Sequence, residues 1–133
     1  MCVFCKIVNG EIPSYKVYED EMFLAFLDVS QASVGHTLVV PKKHYDNLLE
    51  ADEETIGKLF KLATALAKQI TKNLEVAGFN ILNNNGAVAG QSVHHLHVHI
   101  LPRYENDAIV MKFTQNHLSE SEMQTIVERI TRK

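Results

Sequence analysis

The sequence reads His95-Leu96-His97-Val98-His99-Ile100-Leu101 at the point that decides the fold. Alternate side chains of an extended strand share a face, so the three histidines should line up about 6 to 7 Å apart while Leu96, Val98 and Ile100 point into the core. Imidazoles need hydrogen-bond partners and add little apolar burial, so such a row is a poor choice for packing alone. We therefore expect a strand over residues 93–101, ended by Pro102, that carries the chemistry. His94 falls on its opposite, apolar face, where a packed histidine without a catalytic role is expected.

The rest of the chain combines short strand patterns with one long helical period. Residues 16–19 and 22–28 predict a hairpin, and further strands are predicted at 36–40 and 79–82. From residue 52 to about 77, apolar side chains recur every three or four positions, which indicates an amphipathic helix closed by Gly78. The predicted fold class is α+β: about five mainly antiparallel strands with one long helix packed on the sheet. We expect a single domain over residues 1–133, with a C-terminal tail helix at about 119–132.

Composition excludes several classes of protein. The 133 residues are 46% hydrophobic and 22% charged, which is typical of one folded domain and not of a two-domain enzyme, a disordered chain or a coiled coil. The net charge is −3 and the basic residues are scattered, so we expect binding neither to nucleic acid nor to a membrane. The longest apolar run, 22–27, is far shorter than the roughly 20 residues that span a bilayer, and the N-terminus has no secretory pattern. These features predict a cytoplasmic protein.

The segment before the histidine row is rich in neutral hydrogen-bond donors. It reads Asn83-Asn84-Asn85-Gly86-Ala87-Val88-Ala89-Gly90-Gln91-Ser92, which offers side-chain amides, a hydroxyl and backbone N–H groups freed by glycine. Phosphate oxygens only accept hydrogen bonds, so donors beside imidazoles suit a phosphate group. Without the histidines, the same segment would be interpreted as an ordinary turn.

These residues resemble the histidine triad (HIT) family, whose motif is His-φ-His-φ-His-φ-φ with φ an apolar residue. Residues 95–101 fit every position of that motif. Gln-Ser-Val at 91–93, Asn-Asn-Gly at 84–86, Gly-His-Thr-Leu-Val-Val-Pro at 35–41 and Phe-Leu-Asp at 26–28 also resemble the family. The resemblance therefore extends over nearly the whole chain through Arg103.

The resemblance implies cleavage at the α-phosphate of a nucleotide conjugate through a covalent nucleotidyl-histidine. His97 resembles the nucleophile, with its Nδ1–H bonded to a nearby backbone carbonyl and Nε2 free to attack. His99 and His36 resemble groups whose charge stabilises the phosphate in the transition state. The other matching positions are phosphate or leaving-group ligands (Ser92, Asn84 and, more weakly, Gln91), a ribose-binding acid (Asp28) and an apolar slot for the base (Val3, Phe4, Ile7, Phe26, Leu27 and Val29).

The resemblance further implies a small-molecule nucleotide substrate, of the dinucleoside polyphosphate or nucleoside phosphoramidate type and with a purine base. It implies a homodimer, for which the long helix and a free sheet edge could supply the interface. No organic cofactor is expected.

A pair of cysteines at the N-terminus, Cys2-x-x-Cys5, suggests a metal or redox site, but two thiols cannot complete a zinc tetrahedron. His44 and His95 are the histidines to which the resemblance gives no catalytic task, and some family members use two cysteines and two histidines in this way. The resemblance thus implies a structural zinc held by Cys2, Cys5, His44 and His95. Free reduced thiols and a redox disulfide are the alternatives.

Two other functions remain open from the sequence. The histidine row could bind a catalytic metal and make the protein a metallohydrolase, although no carboxylate lies near the row in sequence. The protein could also bind nucleotides, or another partner, without catalysis. Substitution of His97 and removal of metal would separate these possibilities.

Overall fold

Five strands form one antiparallel sheet in the computed structural model, which describes residues 2–133. The strands are β1 (Lys16–Glu19), β2 (Phe23–Leu27), β3 (Thr37–Pro41), β4 (Gly78–Leu82) and β5 (Val98–Arg103), and their spatial order is β1-β2-β3-β5-β4. The helices are α1 (Val3–Val8), α2 (Glu53–Asn73) and α3 (Glu120–Thr131), with a 3-10 turn at Ala87–Ala89. The predicted α+β class and the hairpin are confirmed, whereas α1 was not predicted.

The long helix begins and ends on local signals. The Asp52 side chain accepts a hydrogen bond from the Thr55 N–H, and two glutamates follow in the first turn, where the helix dipole favours negative charge. The predicted end at Gly78 is wrong: the helix ends four residues earlier, where Leu74 caps it and Glu75 adopts a left-handed φ of 56°. Gly78 instead begins β4, because its backbone pairs with Arg103 of β5.

The two faces of the sheet carry different partners. One face packs against α2, with Leu59 and Ala63 of the helix fully buried among strand residues. The opposite face forms a second cluster with α1, in which Phe4 packs on Leu24, Phe26, Leu38 and Val40. His99 lies opposite Leu38 in the β3–β5 pair, so the triad faces the α1 side. The short N-terminal helix therefore covers the face of the sheet that carries the histidines.

The strand with the triad is shorter than predicted. β5 begins at Val98 rather than residue 93, because the preceding residues leave the ladder: the Leu96 N–H donates to the Tyr45 carbonyl, 2.7 Å away. The predicted burial of Leu96, Val98 and Ile100 is confirmed. The prediction for His94 is wrong, since it lies exposed in a bend where no strand face exists.

The C-terminal tail helix forms as predicted. Ser119 and Glu122 make a capping box at its start. Every residue of α3 is exposed in this chain, so its apolar side chains are not part of the core. No helix among residues 2–133 is both long enough and apolar enough to cross a membrane.

Candidate active site and metal centre

His97 lies at the centre of the site, almost fully buried. Its Nδ1 lies 2.7 Å from the carbonyl oxygen of His95, so Nδ1 carries the proton and donates it, as the resemblance implied. Burial lowers the pKa of the His97 imidazole, which keeps it neutral at physiological pH. Within residues 2–133 its Nε2 has no hydrogen-bond partner. His97 therefore presents an unprotonated nitrogen with a free lone pair.

A chain of hydrogen bonds fixes the protons of the next two histidines. The Ala32 N–H donates to His36 Nδ1 at 3.2 Å, so the proton of the neutral His36 ring is on Nε2. That Nε2–H donates to His99 Nδ1 at 2.9 Å, which leaves the His99 proton on its own Nε2. The rings of His97 and His99 are 4.9 Å apart, centroid to centroid. A nucleophilic nitrogen and a hydrogen-bond donor therefore lie side by side.

Both supporting histidines resist protonation in the free protein, whereas the resemblance gives them a charge in the transition state. Burial lowers the pKa of His36, and burial, together with the repulsion that a protonated His97 or His36 would exert, lowers the pKa of His99 to about 4. An imidazole with such a pKa stays unprotonated at neutral pH. Its contribution to phosphate binding is then an N–H hydrogen bond rather than a positive charge.

Asp28 is distant from the histidine row in sequence, but the fold places it beside this pair. Its Oδ1 accepts from the Ser30 N–H at 2.8 Å, and its Oδ2 is 3.6 Å from His36 Nε2. Asp28, His36 and His99 place one ligand atom each within 4.8 Å of one another, so a carboxylate does lie near the row. However, the His36 Nε2–H donates to His99 Nδ1, so the facing nitrogen of His36 has no lone pair to offer to an ion. This arrangement favours a phosphate and a ribose over a metal.

In the loop before the triad, some side chains bond the loop's own backbone and others have no partner within the described residues. Gln91 is buried, and its amide bonds the backbone of Gly86, Asp46 and Val93, so in this conformation it holds the loop. The amide of Asn84 and the hydroxyl of Ser92 make no hydrogen bonds within residues 2–133, which leaves both available to a ligand.

Sequence reasoning missed the role of Asn83, whose amide donates to the His97 carbonyl at 2.9 Å. The sequence contains a run of three asparagines, but only the fold shows which of them contacts the backbone of His97.

The residues expected to bind the base fall into two groups. The Phe4 ring packs edge to face on Phe26 and on His97, with centroid distances of 5.6 and 5.0 Å. Leu27 and Val29 line an open cavity of about 340 Å³ together with Asp28, Gln31 and Tyr15, the last of which was not predicted. Val3 is exposed on α1, and Ile7 packs against the Phe4 cluster.

The Val29 side chain is 82% exposed, so it makes little apolar contact within the chain and is accessible to a ligand in the cavity.

A second cluster brings together the four predicted zinc ligands. Sγ of Cys2 and of Cys5 lie 3.3 to 3.6 Å from Nδ1 of His44 and of His95, and the two Nδ1 atoms are 3.2 Å apart. A tetrahedral zinc with ordinary bond lengths places sulfur and nitrogen ligands about 3.5 Å apart and two nitrogens about 3.3 Å apart. The spacing in this chain therefore matches that of a zinc site.

The other nitrogens of these two rings are oriented as metal ligands require. His44 Nε2 donates to Asp46 at 2.9 Å, and His95 Nε2 donates to the Pro41 carbonyl at 2.8 Å. Each ring therefore turns an unprotonated Nδ1 toward the two thiols, the tautomer that can bind a metal. Two soft thiolates with two imidazoles form a donor set that suits Zn²⁺.

Comparison with known proteins gives the family. A model of the HIT domain matches residues 9–106. The chain belongs to the HIT family. An uncharacterized HIT-like protein of Methanocaldococcus jannaschii is 53% identical over 113 residues, covering 85% of this chain and 87% of that protein. A solved Streptococcus mutans structure superposes with a TM-score of 0.92 at 46% identity, covering 97% of this chain and 82% of the other, so the fold is that of HIT proteins.

Other HIT relatives carry more specific names. An adenylylsulfatase of Arabidopsis thaliana is 44% identical over 108 residues, covering 81% of this chain and 55% of that protein. An adenosine 5'-monophosphoramidase of Schizosaccharomyces pombe is 37% identical over 133 residues, covering 99% of this chain and 97% of that protein. A zinc-bound histidine triad protein of Mycobacterium smegmatis shares 37% identity at a TM-score of 0.78, covering 86% of this chain and 84% of that one.

Proposed function

We propose that this protein is a hydrolase or transferase that cleaves nucleotide conjugates at the α-phosphate through a covalent intermediate on His97. The observation that carries the proposal is the unprotonated Nε2 of His97, held beside the N–H donor of His99 with the Asp28 carboxylate close by. The names of the Arabidopsis and Schizosaccharomyces relatives support an adenylyl conjugate as substrate, with a sulfate or an amine as leaving group.

In the first step the lone pair of His97 Nε2 forms a bond to the α-phosphorus. The bond from phosphorus to the leaving oxygen or nitrogen breaks, and its electron pair departs with the leaving group. An amine leaving group takes a proton from solvent, whereas sulfate leaves as an anion and takes none. The imidazole keeps its Nδ1–H and becomes positively charged. Its hydrogen bond to the His95 carbonyl then gains a charge, which stabilises the intermediate.

In the second step water attacks the phosphorus, the P–N bond breaks, and its electron pair returns to His97 Nε2. The proton of the water passes to solvent, and the mononucleotide is released. Throughout both steps the His99 N–H, the Asn84 amide and the Ser92 hydroxyl act as donors to phosphate or leaving-group oxygens. Asp28 binds the ribose hydroxyls, while Phe4 and the cavity at Leu27 and Val29 accept the base.

The test is turnover of adenosine 5'-phosphoramidate, adenylyl sulfate and diadenosine polyphosphates by the wild type and by His97→Ala. We expect the variant to lose at least about 10³-fold in kcat while AMP affinity stays within about tenfold, because the nucleophile is lost and the pocket remains. His94→Ala, at an exposed neighbouring histidine, is the matched control. Substantial turnover by His97→Ala would leave a metallohydrolase as the better account, and binding without turnover by the wild type would indicate a nucleotide-binding protein.

We also propose that the cluster of Cys2, Cys5, His44 and His95 holds one zinc ion per chain. The spacing and tautomers of the four side chains support this, as does the zinc-bound Mycobacterium relative. When bound, zinc cross-links α1 to the loops that carry the two histidines, and four protein ligands leave no position for substrate. Elemental analysis should find one zinc per chain in the wild type and none in a Cys2→Ser, Cys5→Ser variant.

We further propose that the protein acts as a cytoplasmic homodimer. The sheet ends at β4, whose outer edge is unpaired within residues 2–133, and Phe79 and Leu82 on that strand are 40% and 36% exposed. Joining two such edges around a two-fold axis would extend the sheet and bring the α2 helices together. Analytical ultracentrifugation should give twice the chain mass, and Phe79→Asp should reduce it to that of a monomer.

A further inference from the structure

The β ladder does not extend to the nucleophile. Pairing of β5 with β3 begins at Val98, one residue after His97. Within residues 2–133, two hydrogen bonds join the backbone of residues 95–97 to other segments: the Leu96 N–H to the Tyr45 carbonyl, and the Asn83 amide to the His97 carbonyl. A third, from the His97 Nδ1–H to the His95 carbonyl, lies within the segment itself. The orientation of the imidazole therefore depends on loop contacts outside the sheet.

His95 joins two functions in one residue. Its backbone carbonyl accepts the hydrogen bond that fixes the His97 tautomer, at 2.7 Å. Its side chain is fully buried, with Nε2 bonded to the Pro41 carbonyl and Nδ1 within 3.6 Å of both thiols. A ligand that fixes the His95 ring therefore also fixes the carbonyl that orients the nucleophile.

The N-terminal helix provides a second link. Phe4 lies between the two cysteines in sequence, and its ring packs edge to face on both His95 and His97, with centroid distances of 5.9 and 5.0 Å. When the cysteines are bound in the cluster, this ring is held against the nucleophile. Without that anchor, Phe4 is held among residues 2–133 by its packing in the second core cluster and by the backbone of α1.

We propose that His95 is a positioning residue and that metal loading of the Cys2, Cys5, His44 and His95 cluster sets the tautomer and orientation of His97. The cluster then controls catalysis as well as stability, although no metal touches the substrate. The expected change in kcat rests on the proposed function, whereas the expected change in the His97 tautomer does not. Loss of metal is expected to lower kcat by about tenfold or more and to leave KM within about threefold, because a misoriented His97 loses its attack on phosphorus while the rest of the pocket still binds substrate.

The experiment compares zinc-loaded wild type, chelator-treated wild type and the metal-free Cys2→Ser, Cys5→Ser variant, with Lys6→Ala as the matched control on the exposed side of α1. Long-range ¹H–¹⁵N spectra of the imidazoles report the tautomer of His97, and kinetics with adenosine 5'-phosphoramidate separate kcat from KM. We expect a single Nδ1–H tautomer in the loaded protein and in Lys6→Ala. The two metal-free samples should show an exchanging mixture and the reduced kcat.

An unchanged His97 tautomer in folded metal-free protein would overturn the inference, as would a change confined to KM. If the metal-free samples unfold, replacement of zinc by cadmium keeps the cluster filled while lengthening its bonds to sulfur. The His97 ring signals should then shift between the zinc and cadmium forms, and identical signals would refute the coupling. If the wild type turns over no nucleotide conjugate, the proposed function fails, but the spectra still decide whether the cluster positions His97.

Discussion

The Asp28 side chain offers a sharp test of how ribose is recognised. Its Oδ1 is engaged by the Ser30 N–H at 2.8 Å, and its Oδ2 faces His36 Nε2 at 3.6 Å with no backbone partner of its own. Asp28→Asn can keep the bond to Ser30 through its amide oxygen, while an NH₂ group replaces Oδ2. The substitution therefore removes a charged acceptor for the ribose hydroxyls and leaves the turn intact.

The size of the effect follows from the energy of such a bond. A hydrogen bond to a charged group contributes about 1.5 to 3 kcal/mol, which corresponds to about a 10- to 150-fold loss of affinity for AMP. The affinity for 2',3'-dideoxy-AMP should change by less than about threefold, since that ligand has no hydroxyl to lose. Calorimetric titration of both ligands into both proteins measures the difference. Equal losses for the two ligands, or a lowered melting temperature in Asp28→Asn, would assign the carboxylate to the loop rather than to the ribose.

Other substitutions test the core, the loop and an ion pair. Leu59→Ala should cost about 2 to 5 kcal/mol of unfolding free energy by urea titration, because it opens a cavity under α2, whereas Leu49→Ala at a 91% exposed position should cost less than about 0.5 kcal/mol. Gln91→Ala should lower stability more than AMP affinity, since its amide binds only backbone; a selective loss of affinity would instead make it a substrate ligand. Hydrogen bonds from Arg103 and from nearby backbone N–H groups lower the pKa of Asp107 to about 2, so the stability that this carboxylate contributes is complete above about pH 4 and is lost as the pH falls toward 2. The urea midpoint of the wild type should accordingly fall more steeply between pH 4 and 2 than that of Asp107→Asn, and parallel curves would contradict this.

Side-chain periodicity in the sequence predicted the buried face of the triad segment and the position of the long helix. The alternation around His97 correctly placed Leu96 and Val98 in the core, and the helical period located α2. The start of β5 was wrong because alternation continues to His95 after the ladder has ended, and the Leu96 N–H finds its partner in a distant loop. A pattern of side chains carries no information about such a backbone bond.

The features of the site that were not predicted from the sequence depend on tertiary contacts. Helix α1, from Val3 to Val8, is too short for a recognisable period, so it was not predicted, although it covers the face of the sheet that carries the histidines. Asp28 lies far from the triad in sequence, and only the pairing of β2, β3 and β5 brings it beside His36 and His99. The tautomers of His36 and His99 depend on the Ala32 N–H, a backbone donor that cannot be identified from residue types in the sequence.

The separation of the two sheet faces has a consequence for engineering. Leu59 and Ala63 of α2 belong to a core cluster that contains none of the side chains of the proposed catalytic network. Redesign of that cluster could raise heat tolerance with the proposed reacting side chains unchanged, provided that Leu96 and Val98, which flank His97 in the chain, are kept. Redesign of the α1 side would have no such freedom, since Phe4 belongs to the core, lies between the two proposed zinc-binding cysteines and packs on His97. A thermostable variant with unaltered substrate preference should therefore be sought by varying one layer of the molecule and leaving the other untouched.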